Sequence, residues 1–260
     1  MARIFTCGFE ENNALQTIWS AVHTTALTLQ TTTVRSGTYA AERPNDTAGL
    51  RRALSTTVTS GSYFVRFYFR KTANPTFNRR IFQNWSSSAL ENIIVRLTTT
   101  GALILRNHIT GTEQTTAITL SNDVWYRIEI RHLIADAGGE MELQIDGVSR
   151  ASITGEDTLN TNVLNFIFGG DDGTVGGSHF FDDIIINDAT GAAPFNTWPG
   201  DSKIALAVPG GETAMGWEDE TAGVSLYTNV NDLPGTPDDV NFNKEDDTGA
   251  RVDQMTLATL

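Results

Sequence analysis

The segment Ser62-Tyr-Phe-Val-Arg-Phe-Tyr-Phe-Arg70 constrains the fold more than any other. Successive side chains of a strand point to opposite faces. Tyr63, Val65, Phe67 and Phe69 therefore form one wholly apolar row, and Phe64, Arg66, Tyr68 and Arg70 form the other. The apolar row needs a core to cover it, so the segment reads as a strand with one buried face. Comparable runs follow at Ile93–Leu97, Ala102–Asn107 and Thr116–Leu120, with Thr100-Gly101 as a turn between the first two. Val124-Trp-Tyr-Arg-Ile-Glu-Ile-Arg131 sets Val124, Tyr126, Ile128 and Ile130 against Trp125, Arg127, Glu129 and Arg131, a half-buried antiparallel strand. Met141–Ile145 alternates again and ends in Asp146-Gly147, the residue pair of a tight hairpin, before Val148–Ile153. Two more strands are expected at Val163–Phe168 and His179–Asn187, separated by the glycine-rich acidic loop 169–177. No sustained helical period occurs before residue 190, so a sandwich is expected and a βαβ organisation is not.

Composition narrows the function. Thirty-one Asp and Glu against 18 Lys and Arg give a net charge of -13 and a pI near 4.6. Binding to nucleic acid rests on Lys and Arg displacing counterions from phosphate, so nucleic acid is not expected as a partner. A single cysteine, Cys7, rules out an internal disulfide framework. No 18 consecutive apolar residues occur and the N-terminal residues lack the apolar stretch of a secretory signal. The expectation is a soluble protein without membrane insertion, reaching the outside, if at all, by lysis of the cell. From Asp188 onward the chain changes character. Pro194, Pro199, Pro209, Pro234 and Pro237 fall here, and residues 201–260 hold 12 acidic and 3 basic side chains. Trp217, Leu226, Tyr227 and Val230 are its scattered apolar anchors, too few for an independent core. The domain reading is residues 1–190 as a sandwich and 191–260 as an acidic arm or small β extension, packed or unstructured.

The ordered series FVRFYFR (64–70), LILRN (103–107), VWYRIEIR (124–131), MELQIDG (141–147), FIFGG (166–170) and FFDDIIIND (180–188) resembles the concanavalin A-like lectin/laminin-G superfamily over residues 4–188. The resemblance implies an all-β, antiparallel jelly-roll β-sandwich (concanavalin A-like), to which the composition of the tail adds an extended C-terminal arm. Residues 180–245, from FDDIIIND through WPGD to SLYTNVND, are similar to a segment of tailed-bacteriophage virion proteins that carry this jelly roll. That similarity implies a non-enzymatic structural component of a virion, on the capsid surface or the tail, contacting other virion proteins as a homo-oligomer or multicopy assembly. The alternative is a carbohydrate-binding module or host-surface adhesin with glycans as partners.

Glycoside hydrolases of this fold use paired carboxylates across a cleft. The nearest acidic pair here, Glu156-Asp157, reads as a solvated turn, and no catalytic residues are assigned. His23, His108, His132 and His179 lack metal-ligand spacing, no serine sits in a G-x-S-x-G elbow, and the glycine-rich loop lacks the lysine of a phosphate loop. Asp171-Asp172 reads as a solvated loop, with calcium or sugar binding as its sharper alternative. Trp85, expected in a loop after Phe82, and Trp198, beside Pro199-Gly200, are candidates for stacking on sugar rings or, equally, packing anchors. The resemblance further implies a structural Ca²⁺ between an early G-F-E and a late D-D-I, here Gly8-Phe9-Glu10 and Asp182-Asp183-Ile184, making Glu10, Asp182 and Asp183 the metal candidates. Strand alternation would let only one of the two aspartates serve. The competing reading makes these carboxylates acceptors of backbone N–H groups at strand ends.

Overall fold

The computed structural model describes residues 3–10, 19, 21–23, 27–44, 49–158, 162–170, 176–190 and 192–204, together with the backbone of four short C-terminal strands. The chain divides into two units, residues 1–9 with 14–204 and residues 10–13 with 205–260. The first unit contains, in chain order, β1 (Arg3–Cys7), β2 (Ala21–His23), β3 (Thr28–Gln30), β4 (Ala40–Arg43), β5 (Gly49–Val58), β6 (Gly61–Lys71), β7 (Arg79–Trp85), β8 (Glu91–Leu97), β9 (Ala102–Asn107), β10 (Glu113–Thr119), β11 (Tyr126–Ile134), β12 (Gly139–Ile145), β13 (Val148–Glu156), β14 (Val163–Gly169) and β15 (His179–Asp188). No helix occurs among the described residues.

These strands form two antiparallel sheets. The first runs β13-β12-β11-β6-β15-β4-β3, with β1 also paired to β15, and the second runs β10-β9-β8-β7-β14-β5-β2. Their facing sides make one core. From β6 come Tyr63, Val65, Phe67 and Phe69, all fully buried, as the alternation requires. Phe67 meets Phe82 of β7, Phe168 of β14 and Phe181 of β15 at ring-centroid distances of 6.0, 5.4 and 6.0 Å. Trp19 extends this cluster, edge-on to Phe5 and Phe168. Asp146 and Gly147 take φ of 55° and 80°, the left-handed pair that joins β12 to β13 in a two-residue hairpin.

Two sequence expectations need correcting. Val124 and Trp125 lie outside β11, and Val124 is 43% exposed, so the apolar row of that strand begins at Tyr126. Glu156, expected in solvent, accepts hydrogen bonds from Asn107 (3.0 Å), Thr110 (2.5 Å) and Thr112 (2.7 Å), tying the end of β13 to the β9–β10 loop. The hydroxyl bonds from Thr110 and Thr112 hold its carboxyl below the usual range. In the second unit β16 (Pro209–Ala214) pairs with β19 (Gln254–Leu257), and β17 (Glu218–Asp219) pairs with β18 (Asn243–Lys244), both antiparallel. The anchors Trp217, Leu226, Tyr227 and Val230 and the pair Asp171-Asp172 lie outside the described residues.

Candidate functional site

Each sheet has an outer face, and the chain treats the two differently. On the first sheet the outward row of β6 is not solvated. Phe64, Arg66 and Tyr68 are buried beneath residues 195–204, which cross the face as a strap. Trp198 packs on Phe64 with centroids 5.4 Å apart, which makes it an anchor rather than a platform for sugar. Asn187 Nδ2 donates to Thr197 O (2.9 Å), and Glu129 Oε1 accepts from Gly200 N (2.8 Å). Arg66 Nη1 donates to Gly200 O (3.0 Å) and Ser202 O (2.7 Å), while its Nε and Nη2 donate to Asp183 O. Burial lowers the Arg66 pKa, yet Asp183 beside it favours the charged form. Arg35 lies on the Tyr68 ring (3.9 Å) and donates to Asp201 (2.7 Å) and Tyr68 OH (2.8 Å). Burial first, and then the Tyr68–Asp201 hydrogen bond, push the phenol up to about 12.

Two metal candidates stand at the centre of this arrangement. β1 does lie beside β15, with Cys7 opposite Ile184. A register shift between Asp182 and Ile185, with Asp183 at φ 48°, breaks the alternation, so both aspartates reach the segment Arg35–Ser36. Asp182 Oδ2 accepts from the backbone N of Arg35 (2.9 Å) and Ser36 (3.3 Å), and Oδ1 from Asp183 N (2.7 Å). Asp183 takes Arg35 Nη1 (2.9 Å), Ser36 Oγ (2.8 Å) and Ile204 N (2.6 Å). Both are fully buried, and burial followed by the neighbouring Asp183 raises the Asp182 pKa to about 7. Glu10 groups with the second unit. Among the described residues no three His, Cys, Asp or Glu side chains converge as a ligand set.

The outer face of the second sheet carries a different chemistry. Ladder partners share a face, so register places Trp85, Glu91 and Asn165 in one row across β8, β7 and β14. Trp85 is the last residue of β7, not a loop residue, and is half-buried. The next row is Glu113, Arg106, Ile94, Gln83, Ile167 and Arg51, and beyond it lie Ile104, Arg96 and Arg80. Residues alternate with these, such as Phe82, Val95, Leu105 and Phe166, belong to the core. Arg80 Nη1 donates to Gln83 Oε1 (2.6 Å) and pairs with Glu91. His108 Nδ1 meets the other oxygen of Glu91 at 3.2 Å. Gln83 is 1% exposed, and its Nε2 has no hydrogen-bond partner, nor does the buried Nε of Arg51. Polar atoms held without partners at a sheet face cost stability.

The other two described histidines are structural. His132 donates through Nε2 to Thr158 O (2.9 Å), leaving Nδ1 to accept from Tyr63 OH beside Asn84. His179 is fully buried among Arg43, Lys71 and Arg79. The side chain of His23 lies outside the described part of the structure.

No protein-family model matches the chain, and no curated protein sequence does. Solved structures do match. A sialidase aligns at TM-score 0.53 and 11% identity, covering 71% of this chain and 18% of the sialidase chain. The cellulose induced protein Cip1 aligns at 0.53 and 13% identity, over 76% of this chain and 100% of its own. This is a lectin-like jelly-roll fold. A botulinum neurotoxin type C structure aligns at 0.50 and 12% identity, with 72% and 47% covered. The jelly roll thus spans less than half of the neurotoxin chain and under a fifth of the sialidase chain. At these identities the likeness is one of fold, and function rests on the site.

Proposed function

We propose that the chain is a non-catalytic glycan-binding module whose ligand lies on the outer face of the second sheet, over Trp85. The observation that carries this reading is one row and its neighbour on a sheet face: the half-buried indole of Trp85 beside the half-buried Asn165, with the half-buried Arg51 in the adjoining row. Sugar rings offer apolar C–H faces to an aromatic and hydroxyls to amides and guanidinium groups, the mix of large apolar surface and few placed polar groups that small-ligand sites use. Fold neighbours support it. For botulinum neurotoxin type C, cell entry depends on interaction with two ganglioside molecules. Trp85→Ala should weaken glycan binding by roughly 10- to 100-fold, about 1.4–2.8 kcal/mol, with the melting temperature little changed. An array and titration calorimetry on the full chain test this. Unchanged affinity in the variant would remove the site, and no glycan bound by the parent would remove the function.

Two finer proposals attach to this one. The similarity of residues 180–245 to phage virion segments supports display on a capsid or tail, and copy number in purified particles decides it. A calcium ion held by Asp182 and Asp183 would have to displace Arg35 from Asp183. Calcium that raises the melting temperature, reversed by chelator, supports the ion; an unchanged melting temperature removes it.

A further inference from the structure

The same face carries more positive charge than a neutral sugar needs. Four arginines, Arg51, Arg80, Arg96 and Arg106, stand there against two glutamates, in a chain whose acidic residues outnumber its basic ones 31 to 18. Each glutamate is shared. Glu113 Oε1 accepts from both Arg96 Nη1 (3.3 Å) and Arg106 Nη1, and Glu91 divides its oxygens between Arg80 and His108. A guanidinium has five N–H donors. Arg96 and Arg106 each commit one nitrogen to that single oxygen, and Arg106 Nε has no partner. Their side chains keep 24% and 26% of their surface exposed, so part of each is open to solvent although Arg106 Nε itself is buried.

We infer that the glycan taken by this face carries an anionic group, a carboxylate or a sulfate, held by Arg96 and Arg106 while a neighbouring sugar ring lies on Trp85. The inference rests on the glycan-binding reading and specifies its ligand. Planar guanidinium forks match the oxygen spacing of carboxylate and sulfate and bind them with charge-assisted bonds. The span fits an oligosaccharide. Arg106 on β9 is two strands from Gln83 on β7 in the same row, roughly 10 Å at the spacing of paired strands. Trp85 lies two residues further along β7 on the same face. The surrounding charge sets the size of the anion. A chain with net charge -13 repels a long polyanion. One or two anionic sugars, bound at short range, fit such a surface.

A plain alternative is that the arginine stems only cover Ile94 and Ile104, which are buried beneath this face. Binding of matched oligosaccharides to the full chain separates the two. The set differs only in one group: neutral, carboxylated or sulfated, at constant ionic strength. The anionic members should bind at least tenfold tighter, and the better of the two arms identifies the group. The double variant Arg96→Gln, Arg106→Gln keeps the stems and should bring that preference to near unity, while neutral binding that depends on Trp85 persists. Equal affinity for neutral and anionic members overturns the inference and leaves the glycan reading standing. A preference that survives the double variant also overturns it. Binding of no member removes the glycan reading itself, and the inference with it.

Discussion

Asp183→Ala should lower the free energy of unfolding by about 3–5 kcal/mol, a large share of the stability of an ordinary domain. The carboxylate is fully buried and receives three donors, Arg35 Nη1, Ser36 Oγ and Ile204 N. Alanine would leave Arg35 and Arg66, both near the Tyr68 ring, without the buried anion that favours their charged forms together. It would also free the end of the strap at Ile204. Gly8 helps to seat that end, because a Cβ there would come within 2.9 Å of the Ile204 backbone oxygen. Asp183→Asn keeps the hydrogen-bond acceptor and tolerates the positive φ, so it should cost clearly less. Urea unfolding of both variants is the measurement. A loss below about 1 kcal/mol for alanine would show that the strap does not depend on this ion pair.

Acid should destabilise the sandwich by several kcal/mol between pH 6.5 and about 4. Burial lowers the His132 pKa to about 4 and that of His179 to about 3, the latter with further repulsion from Arg43, Lys71 and Arg79. Unfolded, both side chains take up protons near pH 6.5. In the window between, the unfolded chain binds more protons than the folded one, so stability falls as pH falls. Every tenfold difference in proton affinity between the unfolded and folded chain corresponds to about 1.4 kcal/mol. Asp182 acts in the opposite sense. Its raised pKa, about 7, favours the folded state as pH drops toward the ordinary carboxylate range, and it offsets one of the two histidines. Denaturant midpoints at several pH values should decline on acidification, and His132→Gln should flatten the slope. A midpoint that stays level or rises would contradict the burial of the neutral imidazoles.

The long strands were legible because their two faces differ. β6 and β12 announce themselves by alternation, and Asp146-Gly147 by the positive φ it accepts. Much of the N-terminal third was not. β2 and β3 have three residues each and β4 has four, too few for a period to emerge. Arg66 and Glu129 read as solvent-facing because the strap that covers them lies about 70 or more residues away in sequence and is itself Pro- and Gly-containing coil. The paired role of Asp182 and Asp183 was hidden by a bulge, which no alternation rule anticipates. Trp85 stood out in the sequence as a candidate for stacking, but the arginine face around it did not, for another reason. Its residues come singly from β5, β7, β8, β9 and β14, and only the register of those strands assembles them.

β15 occupies the interior of the first sheet, hydrogen-bonded to β6, β4 and β1. During synthesis it emerges last of the sandwich strands. Until residue 188 has left the ribosome, β6 and β4 have no strand between them, and Phe67 and Phe69 lack Phe181. The sandwich therefore cannot complete itself from the N-terminus as it is translated. Its closure is a late, long-range event, slow by the measure of contact order, during which the unfilled sheet exposes strand edges to neighbouring chains.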